Sequence, residues 1–453
     1  MARHLFFHHA LLPSGWARDV RMTIADGIIV ELEQGASSEG AEQVTGIAVP
    51  GLPNLHSHAF QRGMAGLAER RGRKADSFWT WREVMYQFID RLTPDHVEAI
   101  SAFAYMEMLE AGFTTVGEFH YLHHDIDGRP YADIGEMAQR IAAAASETGI
   151  GLTLLPSFYA HGGFGGAPPT AGQRRFLNEP DRYLRLIERA REIVAVLPTA
   201  CVGCAPHSLR AVTPEALHLL CQAMPEGPIH IHAAEQVQEV EASVATLGQR
   251  PVEWLVDNAG LDERWCVVHA THTTEQEIAA LAATKAVVGL CPLTEASLGD
   301  GIFNGAQYLA RRGRFGIGSD SNIQIDAGAE LRQLEYAQRL SRRARNVMTS
   351  REGESNGRRL LDEALAGGAQ ALAQPVGALT RNSRADIVLL DADHPDLGAR
   401  HEDQWLDAWI FVAGRAAVRS VLMGGAVVVD GGRHRLRQRI ETRYRKAVVD
   451  LVA

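Results

Sequence analysis

Five cysteines in 453 residues is a low count and an odd one. It argues against a disulfide framework and points to a reducing, cytoplasmic compartment. Positive charge is in deficit: 45 Lys and Arg against 55 Asp and Glu leave a net charge of −10, which speaks against a nucleic-acid partner. Membrane-spanning runs are missing too. The longest charge-free stretch, residues 148–173, contains His161 and is broken by glycines and prolines, so it cannot serve as a spanning helix. The N-terminal MARHLFFHHALLPSGW interrupts a short apolar core with His8 and His9, which excludes a secretory signal. With 46% hydrophobic and 22% charged residues, disordered, collagen-like and coiled-coil chains are excluded as well. What is plentiful is histidine, with 19 residues, several of them in tight pairs.

Both ends of the chain read as strands. DVRMTIADGIIVELEQ is two alternating runs joined by Asp26-Gly27, a hairpin signal. RADIVLLDAD and SVLMGGAVVVDGG are short β-branched runs bounded by Gly and Asp. Neither end could bury a core alone. The economical reading is one small discontinuous β-sandwich domain over residues 1–48 and 376–453. Between them, over residues 49–375, eight short apolar runs alternate with helix signals: Asn54–Phe60, Thr114–Tyr121, Leu152–Phe158, Ala200–Ala205, Pro228–Ala233, Cys266–Ala270, Ala286–Cys291 and Phe315–Ser319. Thr93-Pro94 and Thr213-Pro214 each open a helix, and Thr274 with Glu277 forms a capping box. This pattern predicts a (β/α)8 TIM barrel, whose chemistry belongs at the C-terminal ends of the strands.

Those strand ends carry the histidines. The first reads Leu55-His56-Ser57-His58, and alternation points residues i and i+2 to one face, so two imidazoles can share an ion. The fifth supplies His232 with Glu235 three residues on, the sixth His269, and the eighth Asp320. Four strand ends thus deliver histidine or aspartate toward one point, a metal site. Three imidazoles and a carboxylate suit one divalent ion, zinc best, though iron or manganese would fit. His230 sits deeper on the same face and reads as a hydrogen-bonded interior histidine.

PGLPNLHSHAFQR, HIHAAE, VVHATHT and GIGSDS resemble the amidohydrolase superfamily, and HSHAFQR at 56–62 with APHSLR at 205–210 resemble its formimidoylglutamate deiminase branch. The resemblance spans nearly the whole chain. It implies that His56, His58, His232 and Asp320 hold one metal, and that Glu235 and His269 are catalytic. It also assigns Gln61, Arg82, Tyr121, His207 and Arg210 to substrate binding. The fourth strand ends in Ala-Pro-His, not in the lysine that bridges two ions in binuclear members, which supports a single metal. The implied reaction is hydrolysis of N-formimino-L-glutamate to N-formyl-L-glutamate and ammonia, in histidine degradation. Its small dicarboxylate substrate calls for paired arginines: Arg210 follows the fourth strand, and Arg82 lies in a long insert after the first, a natural lid.

On the chemistry alone, Asp320 can accept a proton from the attacking water and Glu235 can protonate a leaving nitrogen, while His269 orients the water or stabilises the tetrahedral carbon. The metal site by itself fits an aromatic C–NH2 equally well, so a purine, pyrimidine or triazine deaminase or chlorohydrolase is the alternative. A catalytically dead barrel is a third, opposed by the intact Glu235 and His269. Cys201 and Cys204, despite their spacing, read as two buried small hydrophobes, and GGFGG at 162–166 as a flexible loop. ELRQLEYAQRL has helical periodicity and could face a partner subunit in a homodimer or pack on the barrel.

Overall fold

The computed structural model describes residues 2–72 and 75–452. Two sheets organise the chain, and both ends meet in the first. Arg3–Leu12, Gly15–Ala25, Ile28–Glu33 and Glu42–Pro50 come from the N-terminus, and Ile387–Leu390, Val418–Met423, Ala426–Asp430 and Arg433–His434 from the C-terminus. Glu42–Pro50 joins the two sets, parallel to Arg3–Leu12 and antiparallel to Ile387–Leu390. The hairpin turns at Asp26 (φ 49°) and Gly27 (φ 80°), the left-handed pair that a two-residue loop demands. The sheet folds back on itself: Ile29 donates to Ser383 O at 2.9 Å, and Asn382 to Ile29 O at 2.8 Å. It encloses its own core, which includes Leu5, Phe7, Val20, Met22, Ile387 and Leu422.

The second sheet is the barrel. All eight runs expected to be strands are strands: Leu52–Ser57, Phe113–His120, Gly151–Phe158, Ala200–Val202 with Ala205–Pro206, Ile229–Ala233, Trp265–His269, Val287–Leu290 and Arg314–Ile317. They pair in parallel, and the eighth returns to the first. The fourth is split because Cys204 changes partners: its N–H donates to Pro228 O and its carbonyl accepts from His230 N, each at 2.9 Å. That switch to the fifth strand closes the barrel. Helix Asn356–Leu372 crosses the barrel beside its first and eighth strands. At Gly367 a Cβ would lie 2.0 Å from Phe315 O, so only glycine permits this approach.

The expected helix starts are present. Thr93 accepts from His96 N at the head of Pro94–Glu110, Thr213 caps Pro214–Ala223, and Thr274 with Glu277 boxes Glu275–Ala283. Helix Ala327–Arg342, which carries ELRQLEYAQRL, buries Leu331, Leu334 and Gln338 against the barrel and leaves Leu340 78% exposed. All five cysteines are free thiols. Among the described residues no helix is long and apolar enough to cross a membrane.

Two parts of the expected β domain are different, and residues 403–417 are the first, running as short helical turns. Residues Arg437–Val452 form a helix against Pro94–Glu110 of the barrel. Ile440, Tyr444, Ala447 and Leu451 recur at helical spacing, and three of them are buried. Tyr444 stacks on Phe103 with centroids 3.9 Å apart and planes 7° from parallel, while Arg437 and Arg415 both pair with the buried carboxylate of Glu110. Tyr444→Ala should destabilise the protein by about 1–3 kcal/mol through the lost stack and buried area, read as a lowered midpoint in urea with turnover of the folded enzyme intact.

Candidate active site

The first strand aims His56 and His58 into the barrel mouth, ring centroids 4.6 Å apart. From the fifth strand, His232 brings its Nε2 to 3.1 Å from His56 Nε2. From the eighth, Asp320 Oδ1 lies 3.5 Å from His56 Nε2 and 3.4 Å from His58 Nε2. His58 Nδ1 donates to Phe119 O at 2.7 Å, and His232 Nδ1 to His207 O at 2.9 Å. A carbonyl only accepts, so both Nδ1 atoms carry the proton and both Nε2 atoms turn lone pairs inward. His56 Nδ1 has no partner; that ring is held by edge contact with Phe119, centroids 5.2 Å apart. Burial lowers all three histidines, His56 to about 3, which keeps them neutral, the ligating form. Buried lone pairs this close repel unless a cation lies among them, so the donor set fits a metal ion.

Strained backbone marks the same strand ends. Ala234, His269, Ala270, Asp320 and Asn322 all have positive φ, between 45° and 69°, a conformation retained where surrounding structure enforces it. Here hydrogen bonds do so. Asp320 N donates to His56 O at 3.0 Å and His58 N to Asp320 O at 2.9 Å. The Asn322 amide donates to Ser57 Oγ at 3.1 Å and to Asp320 O at 3.0 Å.

Beside the histidines stands an acid–imidazole group. His269 Nε2 lies 3.8 Å from Glu235 Oε1 and 3.9 Å from Asp320 Oδ2, and His269 Nδ1 lies 3.2 Å from Glu295 Oε1. Burial alone would lower His269, but the charges of Glu235, Asp320 and Glu295, with the Glu295 hydrogen bond, outweigh it and raise it to about 10. Burial raises Glu235 to about 7 against the pull of His269 and Arg210. Burial would also raise Asp320, yet its hydrogen bond to His56 and the positive charge of His269 hold it well below the carboxylate range. One site thus keeps one carboxyl ready to donate a proton and another ready to accept one.

Above this group lies a cleft with about 570 Å³ of empty space. His58, Gln61, Arg82, Tyr121, His207, Arg210, His232, Glu235, His269 and Asp320 all line it, and His56 lies just beneath. The Gln61 amide donates to Tyr121 Oη at 2.7 Å. His207 stacks on His232, centroids 4.9 Å apart. Arg82, on helix Phe78–Ile89 of the insert, lies 4.4 Å over Trp79 and 5.6 Å over Tyr86. Arg210 approaches the same Trp79 ring at 5.9 Å, and its Nη2 lies 3.7 Å from Glu235 Oε2. Its buried Nε has no partner. His230 keeps out of the cleft and donates to Ala371 O at 2.7 Å.

Sequence reasoning missed several participants. Glu295 orients His269, and its only signal was a carboxylate in the first turn of a Pro-opened helix directly after a strand. Glu239 accepts from the backbone N–H groups of Ala234 and Glu235. Trp79 bridges the two arginines, and Asn322 ties two ligand-bearing segments together.

Residues 47–428 match the amidohydrolase family, and residues 3–46 match the N-terminal domain described as that of formimidoylglutamate deiminase HutF. The chain is 52% identical over 434 residues to a formimidoylglutamate deiminase of Pseudomonas aeruginosa, covering 95% of each. An amidohydrolase structure from Brucella melitensis superposes over 100% of both chains with a TM-score of 0.95 and 53% identity. An adenosine deaminase structure from Xanthomonas campestris with bound zinc shares the fold, with a TM-score of 0.81 at 20% identity over 99% of this chain and 98% of that one. The chain belongs to the amidohydrolase family, on its formimidoylglutamate deiminase branch.

Proposed function

We propose that the protein hydrolyses N-formimino-L-glutamate to N-formyl-L-glutamate and ammonia in the cytoplasm, with one zinc ion held by His56, His58, His232 and Asp320. The observation that carries this reading is a pair of arginines, Arg82 and Arg210, that line the same cleft and approach the same Trp79 ring. No carboxylate among the described residues lies within 4.0 Å of Arg82, and Arg210 retains a buried unpaired Nε. A dicarboxylate supplies the missing partners, since guanidinium and carboxylate pair in bidentate fashion.

When bound, the ion would lower the pKa of a water toward neutrality and polarise the substrate's C=N carbon. Asp320, held ionised beside the metal position, takes the proton of the attacking water. Glu235 delivers a proton to the nitrogen that leaves as ammonia. His269, kept positive by its carboxylate neighbours and oriented by Glu295, faces the same point and offsets charge that develops on the reacting carbon's substituents. Gln61, Tyr121 and His207 line the wall between the metal ligands and the arginines and orient the amidine end.

The test is ammonia release by zinc-loaded enzyme from N-formimino-L-glutamate, compared with aromatic amines. Turnover of the first alone is expected; turnover of an aromatic amine alone would replace this reading with an aromatic deaminase. The metal assignment has its own test. Asn322→Ala removes the bridge between Ser57 and Asp320, and zinc affinity is expected to fall by about 10–100-fold. Competition against a chromogenic chelator measures it, and unchanged affinity would separate Asn322 from the ligand set.

A further inference from the structure

Behind His269, on the side away from the cleft, lies a second group of ligating side chains. His269 Nδ1 is 3.2 Å from Glu295 Oε1. Cys291, the residue after the seventh strand, donates its backbone N–H to that same oxygen at 2.9 Å. Ligand atoms of His269, Cys291 and Glu295 all lie within 4.8 Å of one another, and all three residues are buried. Glu330, on a different helix and fully buried, caps the same turn: its Oε2 accepts from the Leu293 N–H at 2.9 Å, and its Oε1 has no partner.

His269 and Glu295 pair with one another here, and the buried Cys291 thiol beside them brings a third ligand atom within reach of a single ion. A tetrahedral ion with bonds of about 2.0–2.3 Å to N, O and S would hold these atoms roughly 3.3–3.7 Å apart. The Nδ1–Oε1 pair, at 3.2 Å, needs to open only slightly to reach that spacing, and a thiolate with an imidazole selects soft cations.

We propose that His269 Nδ1, Cys291 and Glu295 form a second cation site for a soft divalent ion such as cadmium or excess zinc, and that its occupation inhibits the enzyme. On binding, the Cys291 thiol and His269 Nδ1 each release one proton to solvent, and both take up bonds to the ion. His269 then loses its hydrogen bond to Glu295 and can no longer carry a proton on that nitrogen. The binding half stands on geometry alone; the inhibitory half rests on the role proposed above for His269.

The experiment titrates the zinc-loaded enzyme with cadmium chloride. Three quantities are followed: metal equivalents per chain, the ultraviolet thiolate-to-cadmium charge-transfer band, and ammonia release. The expected result is one additional equivalent, a band that saturates with it, and activity falling at least tenfold in step. Cadmium exchanging into the histidine–aspartate site gives no such band, because no thiol is there. C291S, a near-isosteric change outside the catalytic group, should keep basal activity within twofold and lose the extra equivalent, the band and the inhibition. A band that survives in C291S, or no additional equivalent in the parent, overturns the site. Binding without loss of activity overturns the inhibition. Band and stoichiometry are read without substrate, so failure of the proposed reaction would be seen separately.

Discussion

Glu235→Gln is expected to lower kcat by roughly 10²–10⁴-fold, the contribution of a well-placed general acid, while metal content stays at one ion per chain. The variant keeps the shape of the side chain and removes only the exchangeable proton. Its surroundings favour a clean result. The Glu235 backbone N–H is tied to Glu239 Oε2 at 3.1 Å, so the loop keeps its course. The carboxyl itself stands between His269 Nε2 at 3.8 Å and Arg210 Nη2 at 3.7 Å. Burial raises it to about 7, so it holds its proton below that pH and loses it above. As a proton donor it predicts that kcat/KM falls as pH rises through about 7 in the parent, and that this limb is missing in the glutamine variant. Kinetics across pH, with metal measured by mass spectrometry on the same samples, decide it. Metal lost together with activity would make Glu235 a ligand instead of an acid.

Much of this site was legible because strand alternation and barrel geometry are local rules with a global result. His56 and His58 share a face by their spacing alone, and His232, His269 and Asp320 fall at strand ends because the strands are short apolar runs with sharp boundaries. What was not legible is what distance decides. Glu295 lies 26 residues from His269 and Asn322 lies 265 from Ser57, and no periodicity links either pair. Trp79 looked like any aromatic of a lid helix, and its meaning depends on Arg210 arriving from the fourth strand. The C-terminal helix was hidden by a different effect. Residues 376–453 read as part of the β domain, whereas Ile440, Tyr444 and Leu451 form a narrow stripe that only a partner helix makes worth burying.

Arg82→Met and Arg210→Met should each lower kcat/KM for N-formimino-L-glutamate by about 10–150-fold, since a hydrogen bond to a charged group contributes roughly 1.5–3 kcal/mol. The two should differ in kind. Arg82 rides on the insert helix between Trp79 and Tyr86, 4.4 and 5.6 Å from their ring centres, with no contact to the acid–imidazole group, so its loss raises KM and leaves kcat nearly unchanged. Arg210 is buried with its Nη2 3.7 Å from Glu235, whose acidity its charge strengthens. Removing it takes away a substrate contact and also lets the Glu235 pKa climb further. The pH at which kcat/KM falls should therefore move upward in Arg210→Met and stay in place in Arg82→Met. Formamidine, which has the reacting group and no carboxylate, separates binding from chemistry. Arg82→Met should hydrolyse it as the parent does, because the lost guanidinium has nothing to meet. If Arg82→Met instead slows formamidine and N-formimino-L-glutamate by the same factor, the arginine supports the lid and not a carboxylate, and the paired-cation argument for a dicarboxylate substrate fails with it.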